Sequence, residues 1–419
     1  MSNERKPVIG LFGFGVVGEG IYNVLKETPS LQSVVKKICI RHPDKKRSID
    51  TKYFTTNYSE LLHDGEINMI VELIDDADEA FKIVSTALRK SKTVVSANKK
   101  MIAEHLPELL KLQEEYHTAF LYEAAACGSI PVIRNLEEYY DNDLLHGICG
   151  IVNGSTNFIL TQIHEKGIDF KTALQEAQQS GFAESNPELD ISGRDAVNKL
   201  TILMLHAFGI ISHPDKILYR GIQFLHEQDA RLAKEKGYKI KLIARALKIG
   251  KDKMIAYVMP QFVTPTSQLS GISNEYNGMV IESKLADKQC LTGKGAGRYP
   301  TSSAVLSDIA SSRYGYKYEY RKLHLSAKSQ LTYDVYLRLY VGFDDWSQVN
   351  KWDFEWVEEF HSTEQRHYLI GIIHAEKLKE ADWLQNPDVS VIAMPDAIIQ
   401  KESIIKRNLK KVSLQLAGV

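Results

Sequence analysis

Cysteine is scarce in this chain. Cys39, Cys127, Cys149 and Cys290 are spread through 419 residues, with no CxxC pair among them. That usage fits a reducing compartment and makes a cytoplasmic protein the expectation. There is no HExxH motif, no EF-hand loop and no internal repeat. No apolar run is long enough to span a bilayer. The polar start Met1-Ser2-Asn3-Glu4-Arg5-Lys6 leads into a strand, not into a signal h-region. Net charge is almost absent: 52 basic against 53 acidic residues give -1. A balance so even offers no electrostatic case for nucleic acid or an anionic membrane as partner. A composition 44% hydrophobic and 25% charged is that of a soluble globular protein, and the length implies two or three domains.

Strand and helix patterns alternate through the first third. "PVIGLFG" (7–13), "VKKICIR" (35–41), "INMIVELI" (67–74), "KTVVSAN" (92–98) and "FLYEAAA" (120–126) read as strands. Helical stretches separate them, among them "ADEAFKIVSTALRKS" and "EHLPELLKLQEEYHTA", the latter beginning at Glu104. This order predicts a Rossmann-type, doubly wound parallel sheet over 1–130. A second α/β domain with a mostly antiparallel sheet is expected over 131–328, with about 300–328 completing the first domain. Its signals are helices near 171–180 and 194–209 and strands at 239–247, 254–263 and 279–284. Residues 329–419 read as a small separate α+β module of order strand, helix, strand, helix, strand, its first helix being "DFEWVEEFH" (353–361).

Gly13, Gly15 and Gly18 form GxGxxG between the first strand and a helix. In that context the pattern is a dinucleotide fingerprint. Gly13 permits the tight turn, Gly15 lets backbone approach a pyrophosphate, and Gly18 allows close helix–strand packing. A βα turn without ligand would use the same glycines. At the end of the second strand an acid would suit the ribose of NAD. Arg41 stands there instead, followed by Lys45, Lys46 and Arg47, which favours the 2′-phosphate of NADP, with NAD as the alternative.

A second constellation is polar. "GIVNGSTNFIL" (150–160) packs Asn153, Gly154, Ser155, Thr156 and Asn157 together, more than helix capping needs. "YEAAACGSIPVI" (122–133) puts Glu123 and a Gly-Ser-Ile-Pro turn at a strand end, where open α/β sheets bind ligands. "GFAESNPELDISGRDAVNKL" (181–200) crowds Glu184, Glu188, Asp190 and Asp195 around Arg194 and Lys199. Asp195 and Lys199, at i and i+4, share a helix face. Taken alone they read as a surface ion pair with a dipole-favoured aspartate, and a pocket for a small cationic substrate is the other reading.

Together these blocks resemble homoserine dehydrogenase. The likeness spans roughly residues 7 to 310 and adds "VVSANKKMIA" (94–103) and "GKGAGRYPTSSAVLSDI" (293–309). It implies NAD(P)-dependent interconversion of L-aspartate 4-semialdehyde and L-homoserine, in threonine and methionine synthesis. It assigns acid–base work to Lys199, with Lys99 as a second catalytic lysine. Substrate contacts fall to Glu184, Asp190, Asp195, Gly154 and Thr156. Cofactor contacts fall to Gly13, Phe14, Gly15, Val16, Val17, Gly18, Arg41, Ser96, Asn98, Lys99 and Gly295. Glu123, Ala126, Gly128 and Ile130 match a monovalent-cation site, sodium being the expected ion. A homodimer or homotetramer is implied, and "YKIKLIARALKI" (238–249) could extend a sheet across its interface. The chemistry suits these residues: an ammonium beside the aldehyde oxygen stabilises growing negative charge and donates the proton. Run in reverse it must be neutral, so a Lys199 pKa below about 10.4 is expected.

The chain departs from the family pattern in three places. Asp75-Asp76 replaces a usual Gly-Gly pair near the cofactor, and Cys127 and Ser129 alter the cation segment. The tail is compatible with a divergent ACT-like module, but "GFDDWSQVNKW" stands where a Pro-Gly turn is usual, implying lost or altered threonine control. His206 is expected to be packed or exposed rather than catalytic, and Cys127 lacks the partner of a nucleophile. Two other readings stay open: an oxidoreductase for a different amino acid aldehyde, and a catalytically silent NADP-binding protein. Retention of Lys99 and Lys199 argues against silence.

Overall fold

The computed structural model describes residues 6–142, 144–325, 329–364 and 366–400. The first five residues and 401–419, part of the expected third module, lie outside them. β1 (Val8–Phe12) runs through the glycine loop into α1 (Val16–Glu27). Then come β2 (Val34–Cys39), β3 (Phe54–Thr55), α2 (Ser59–Leu62), β4 (Met69–Glu72), α3 (Ala77–Arg89), β5 (Thr93–Ser96), α4 (Lys99–Glu115) and β6 (Phe120–Leu121). The six strands form one parallel sheet ordered β3-β2-β1-β4-β5-β6. Helices on both faces bury the strands on both sides, so they read as unbroken apolar runs. All four residues of β4 are buried, Glu72 among them. The strand order reverses at β1, so the ligand crevice of such a sheet lies beyond the ends of β1 and β4.

α4 begins at Lys99, not at Glu104 as its sequence suggests. The Asn98 side chain accepts the Met101 amide and caps the helix there. Pro107 lies inside, and the helix kinks at His105 (φ -113°, ψ 17°). Lys99 therefore heads a helix.

After α5 (Val132–Arg134) come β7 (Leu145–Ile151), α6 (Gly154–Lys166), α7 (Phe170–Gln179), α8 (Glu188–Ile191), α9 (Arg194–Phe208), β8 (Leu218–Tyr219) and α10 (Glu227–Glu235). Next are β9 (Lys239–Lys248), β10 (Lys253–Val263), β11 (Tyr276–Ser283), β12 (Asp287–Lys294) and α11 (Arg298–Ser312). From Asp195 to Phe208 every residue of α9 is buried, which makes it the spine of this half. α11 returns to the nucleotide domain against α1, so closely that a Cβ at Gly20 would lie 2.7 Å from Ser302 Oγ.

The tail holds β13 (Gln330–Leu331), β14 (Tyr336–Phe343), β15 (Phe354–Ser362), β16 (His367–His374), α12 (Ala375–Glu380) and β17 (Ser390–Ile399). Two expectations are corrected here. The stretch 353–361 is not a helix: β15 pairs along β16, with Phe354, Trp356 and Glu358 turned in and Glu355, Val357 and Glu359 turned out. Its period is two, and its aromatic and β-branched residues suit a strand. The ACT-like order accordingly loses its first helix. Nor is the module separate. One sheet runs β12-β11-β7-β9-β10-β17-β14-β16-β15, joined where Gln261 pairs with Ala393, and β8 and β13 also pair with β10. Ile255, Tyr257 and Met259 share a core with Leu337, Leu339 and Val341. β9, the core of "YKIKLIARALKI", pairs with β10 along its length and with β7 over 244–247.

No helix among the described residues is long and apolar enough to cross a membrane. The shared core makes a prediction. Truncation after residue 330 uncovers Ile255, Tyr257 and Met259, each 0% exposed in the full chain. We expect the truncated chain to aggregate on size exclusion with light scattering. A soluble, monodisperse product would show that the second domain does not depend on the tail.

Candidate active site

Two lysines from two domains meet on one carboxylate. Lys199 Nζ lies 2.8 Å from Asp195 Oδ2, one turn back on α9, and Lys99 Nζ lies 3.0 Å from Asp195 Oδ1. Lys199 also donates to the Val152 carbonyl at 2.6 Å. An ammonium has three donors, so one is left for a substrate oxygen. Asp195 and Lys199 are nearly buried, whereas the Lys99 side chain is 43% exposed. Burial would push the Asp195 carboxyl up, but Lys199 and then Lys99 outweigh it and hold the group well below the usual carboxylate range. Lys99 is raised, chiefly by Asp195. Within this triad one anion faces two cations.

Asn153 organises the rest. Its Nδ2 donates to Asp190 Oδ1 (2.7 Å) and Asp195 Oδ2 (2.8 Å), and its Oδ1 accepts the Thr156 amide at 2.8 Å to cap α6. The five small polar residues of 153–157 are thereby explained. Ser155 Oγ donates to the Phe182 carbonyl, pinning the acidic loop. Asn157 reaches carbonyls of 272, 274 and 276. Thr156 is buried with its hydroxyl on the Asn153 carbonyl, and Gly154 packs so tightly that a Cβ would lie 2.7 Å from Glu275 O. Glu184 is exposed, yet it and Asp190 both act on the Lys99 charge. Glu188 is an exposed acid at the start of α8, and Arg194 pairs with Asp215.

The glycine loop has the shape its spacing implies. Gly13 has φ +92°, where a Cβ would lie 2.7 Å from Leu73 O, and a Cβ on Gly18 would meet Gly13 O at 2.3 Å. A Cβ at Gly15 meets nothing within 4 Å, so the loop faces open space at the start of α1, whose first turn has no side-chain cap. Exposed backbone at a helix N-terminus fits a pyrophosphate. Val16 is exposed, Val17 half-buried, and Phe14 packs its ring on Tyr22 and Phe54. Arg41 reaches Asp76 at 3.4 Å. Arg47 instead turns onto the carbonyls of His42 and Lys45 and stacks on Phe54. Ser96 and Asn98 spend their side chains inside the protein: Ser96 Oγ donates to Glu72 at 2.5 Å, and Asn98 caps α4.

Glu123 does not offer its carboxylate to a cation. Its two oxygens accept the amides of Ile133 (2.9 Å) and Arg134 (3.0 Å), and burial pushes the group up to about 8. What Glu123, Ala126, Gly128 and Ile130 have in common is a backbone carbonyl each, a donor type that suits a hard monovalent ion. Ser129 donates through its amide and hydroxyl to the Lys294 carbonyl, each at 3.1 Å, and so ties this segment to the 293–297 loop. A Cβ at Gly128 (φ +60°) would lie 2.4 Å from Gly295 O.

Two residues in the site were not anticipated. Glu72 at the end of β4 is 0% exposed; it accepts from Ser96 and from the Ile74 amide, and burial lifts it to about 7. A lone acid in "MIVELI" was the available signal. Asn277 is 0% exposed and packs against Gly295 one strand over from Val152, with neither amide atom hydrogen-bonded. Nothing in its sequence context marks it. His206 is wholly buried between Glu137 (2.6 Å) and Tyr122 (3.0 Å), and burial raises the Cys127 thiol to about 12.

Comparison with known proteins agrees with this geometry. The family model for homoserine dehydrogenase matches residues 131–310, and that for its NAD-binding domain matches 13–123. The chain belongs to the homoserine dehydrogenase family. It is 34% identical to the Lactococcus lactis homoserine dehydrogenase over 312 residues, covering 72% of this chain and 73% of that one. It is 34% identical to the Helicobacter pylori enzyme over 353 residues, 81% of this chain and 83% of that one. The crystal structure of a homoserine dehydrogenase from Thiobacillus denitrificans superposes with TM-score 0.81 at 26% identity, covering 94% of this chain and 99% of the other. A hyperthermophilic archaeal homoserine dehydrogenase mutant in complex with NADPH matches at TM-score 0.64 and 25% identity, over 75% of this chain and all of that one. The protein is thus an NAD(P)-dependent oxidoreductase acting on a CH–OH group, with a small-molecule substrate.

The shared carboxylate sets a stability prediction. Asp195→Asn leaves two ammonium groups without their anion, and breaking a buried pair costs about 3 kcal/mol, read by urea unfolding at pH 7. The sign follows from the shifts. The depressed Asp195 carboxyl stabilises the fold above the ordinary carboxylate pKa, and this is lost as pH falls through its lower folded value. The raised Lys99 contributes below its ordinary pKa and loses that as pH rises through the folded one. A variant as stable as wild type at pH 7 would show that the lysines need no shared anion.

Proposed function

We propose that Lys199 is the acid–base residue of the homoserine dehydrogenase reaction, L-aspartate 4-semialdehyde to L-homoserine and back. The observation that carries this is the sharing of Asp195 by Lys199 and Lys99 at the ends of α9 and α4, beside the crevice of the nucleotide domain. When bound, the nicotinamide supplies or takes up the hydride. Lys199 gives its free N–H to the substrate oxygen as negative charge grows there, and takes the proton back in the reverse direction. Asp195 stays charged and orients that ammonium. Lys99, half-exposed, adds its positive charge at the same oxygen.

Asp195 is committed to the two lysines and Asn153, so the substrate's α-ammonium falls to Glu184 and Asp190. Gly154 and Thr156 shape the floor beneath it. Gly13, Gly15, Val16, Val17 and Gly18 hold the pyrophosphate, and Arg41 favours NADP over NAD. Gly295 covers the nicotinamide end. The carbonyls of Glu123, Ala126, Gly128 and Ile130 bind a monovalent cation, sodium being the expected ion. The catalytically active unit is a homodimer or homotetramer formed by the second domain. Sedimentation as a monomer at micromolar concentration would contradict this.

The first test is absorbance at 340 nm with aspartate semialdehyde and NADPH or NADH. Lys199→Ala should lose about 100- to 10,000-fold in kcat, the range general acid–base catalysis contributes, while NADPH affinity stays within about twofold of wild type. Oxidation retained in the variant would remove Lys199 from the acid–base role.

A further inference from the structure

β2 and β4 flank β1, so their ends stand roughly 10 Å apart across the crevice. Arg41 follows β2 and Asp76 follows β4. Their side chains meet over the end of β1, with Arg41 Nη2 3.4 Å from Asp76 Oδ2. Both are exposed, at 66% and 45%, so neither is held there by packing. Asp76 is not free to swing away. Its other oxygen accepts the Glu79 amide at 3.0 Å and caps α3. Arg41 is thus drawn to a fixed anion. Arg47, the other arginine of this turn, is spent on backbone carbonyls.

We propose that Asp76 is a cofactor-specificity residue, a built-in carboxylate that occupies Arg41 and that the 2′-phosphate of NADPH must displace. This deepens the reading above and rests on Arg41 being the cation for that phosphate. A guanidinium binds a carboxylate and a phosphate through the same donors, so it serves one at a time. NADPH therefore gives up part of its advantage on entry. NADH has no group for Arg41 and leaves the pair intact. The chain is accordingly less selective for NADPH than its arginine alone would make it. The Glu79 amide first, and Arg41 after it, hold the Asp76 carboxyl below its ordinary pKa, so the competing anion is present at neutral pH.

The test is equilibrium binding of NADPH and of NADH to the full-length protein, by calorimetry, in wild type, Asp76→Asn, Arg41→Ala and the double variant. Asparagine caps helices as well as aspartate, so Asp76→Asn keeps the α3 cap and removes only the charge; its melting temperature should not move. An exposed ion pair is worth up to about fivefold in an equilibrium constant. We expect Asp76→Asn to tighten NADPH by about three- to fivefold and to leave NADH within about twofold. In the Arg41→Ala background that gain should vanish. If Arg41→Ala leaves NADPH affinity unchanged, the reading of Arg41 fails and the proposal falls with it. If Arg41→Ala weakens NADPH but Asp76→Asn does not change the NADPH to NADH ratio, Arg41 keeps its role and Asp76 has none in specificity. An Asp76→Asn gain that persists without Arg41 would mean direct repulsion of the phosphate and overturn the displacement mechanism.

Discussion

A single buried carboxylate holds this molecule's site together. Asp195 lies at the start of the most deeply buried helix of the second domain and receives an ammonium from each side. Lys199 belongs to its own helix, but Lys99 belongs to the nucleotide domain. The interaction therefore sets chemistry and domain register at once. An ion pair taken out of water yields little net stability, because desolvation offsets much of the attraction. Such a cluster is retained for what it positions. Here it places two cations at a defined distance beside a crevice.

The supports of the cluster are backbone termini more than side chains. Asn153 and Asn98 each cap a helix, α6 and α4 respectively, and each sits beside one of the lysines. Glu72 reinforces the second of these caps. It accepts from Ser96, whose hydroxyl oxygen in turn accepts the Asn98 amide at 3.1 Å. A carboxyl with no exposed surface costs free energy to bury unless its hydrogen bonds are made. Glu72 makes two, joining the ends of β4 and β5 to the loop that leads to Asp75 and Asp76. The position of Lys99 thus depends on an acid that never reaches the pocket.

Much of this was legible in the sequence, for identifiable reasons. The glycine loop was, because steric demands at Gly13 and Gly18 leave no alternative residue. The acidic stretch was, because Asp195 and Lys199 stand one helical turn apart. What the one-dimensional pattern hid is who faces whom. Local spacing could not show that Asp195 would be shared by two lysines from two domains. It also could not show that Ser96, Asn98 and the Glu123 carboxylate would serve the backbone. The helix expected at 353–361 failed for a related reason. "FEWVEEFH" carries charge at both periods, and only pairing with β16 decides between them. Asn277 is silent in sequence because an asparagine in a strand looks like any edge residue until its burial is known.

The tail then acquires a structural meaning that its composition does not suggest. β17 enters the sheet beside β10, and the same hydrophobic cluster is lined from both sides. Arg220 strengthens the seam: it is 2% exposed and donates to backbone carbonyls of Leu384, Asn386 and Val389. A guanidinium buried on carbonyls is costly to strand, so tail and second domain are held in one arrangement. β8 and the segment leading to it connect this seam to the C-terminal end of α9, the helix that bears Asp195 and Lys199. Any displacement of the tail must therefore be met either by the seam or by α9. A sheet shared across a domain boundary is stiff, and α9 is packed on all sides. The simplest mechanical consequence is that the tail braces α9.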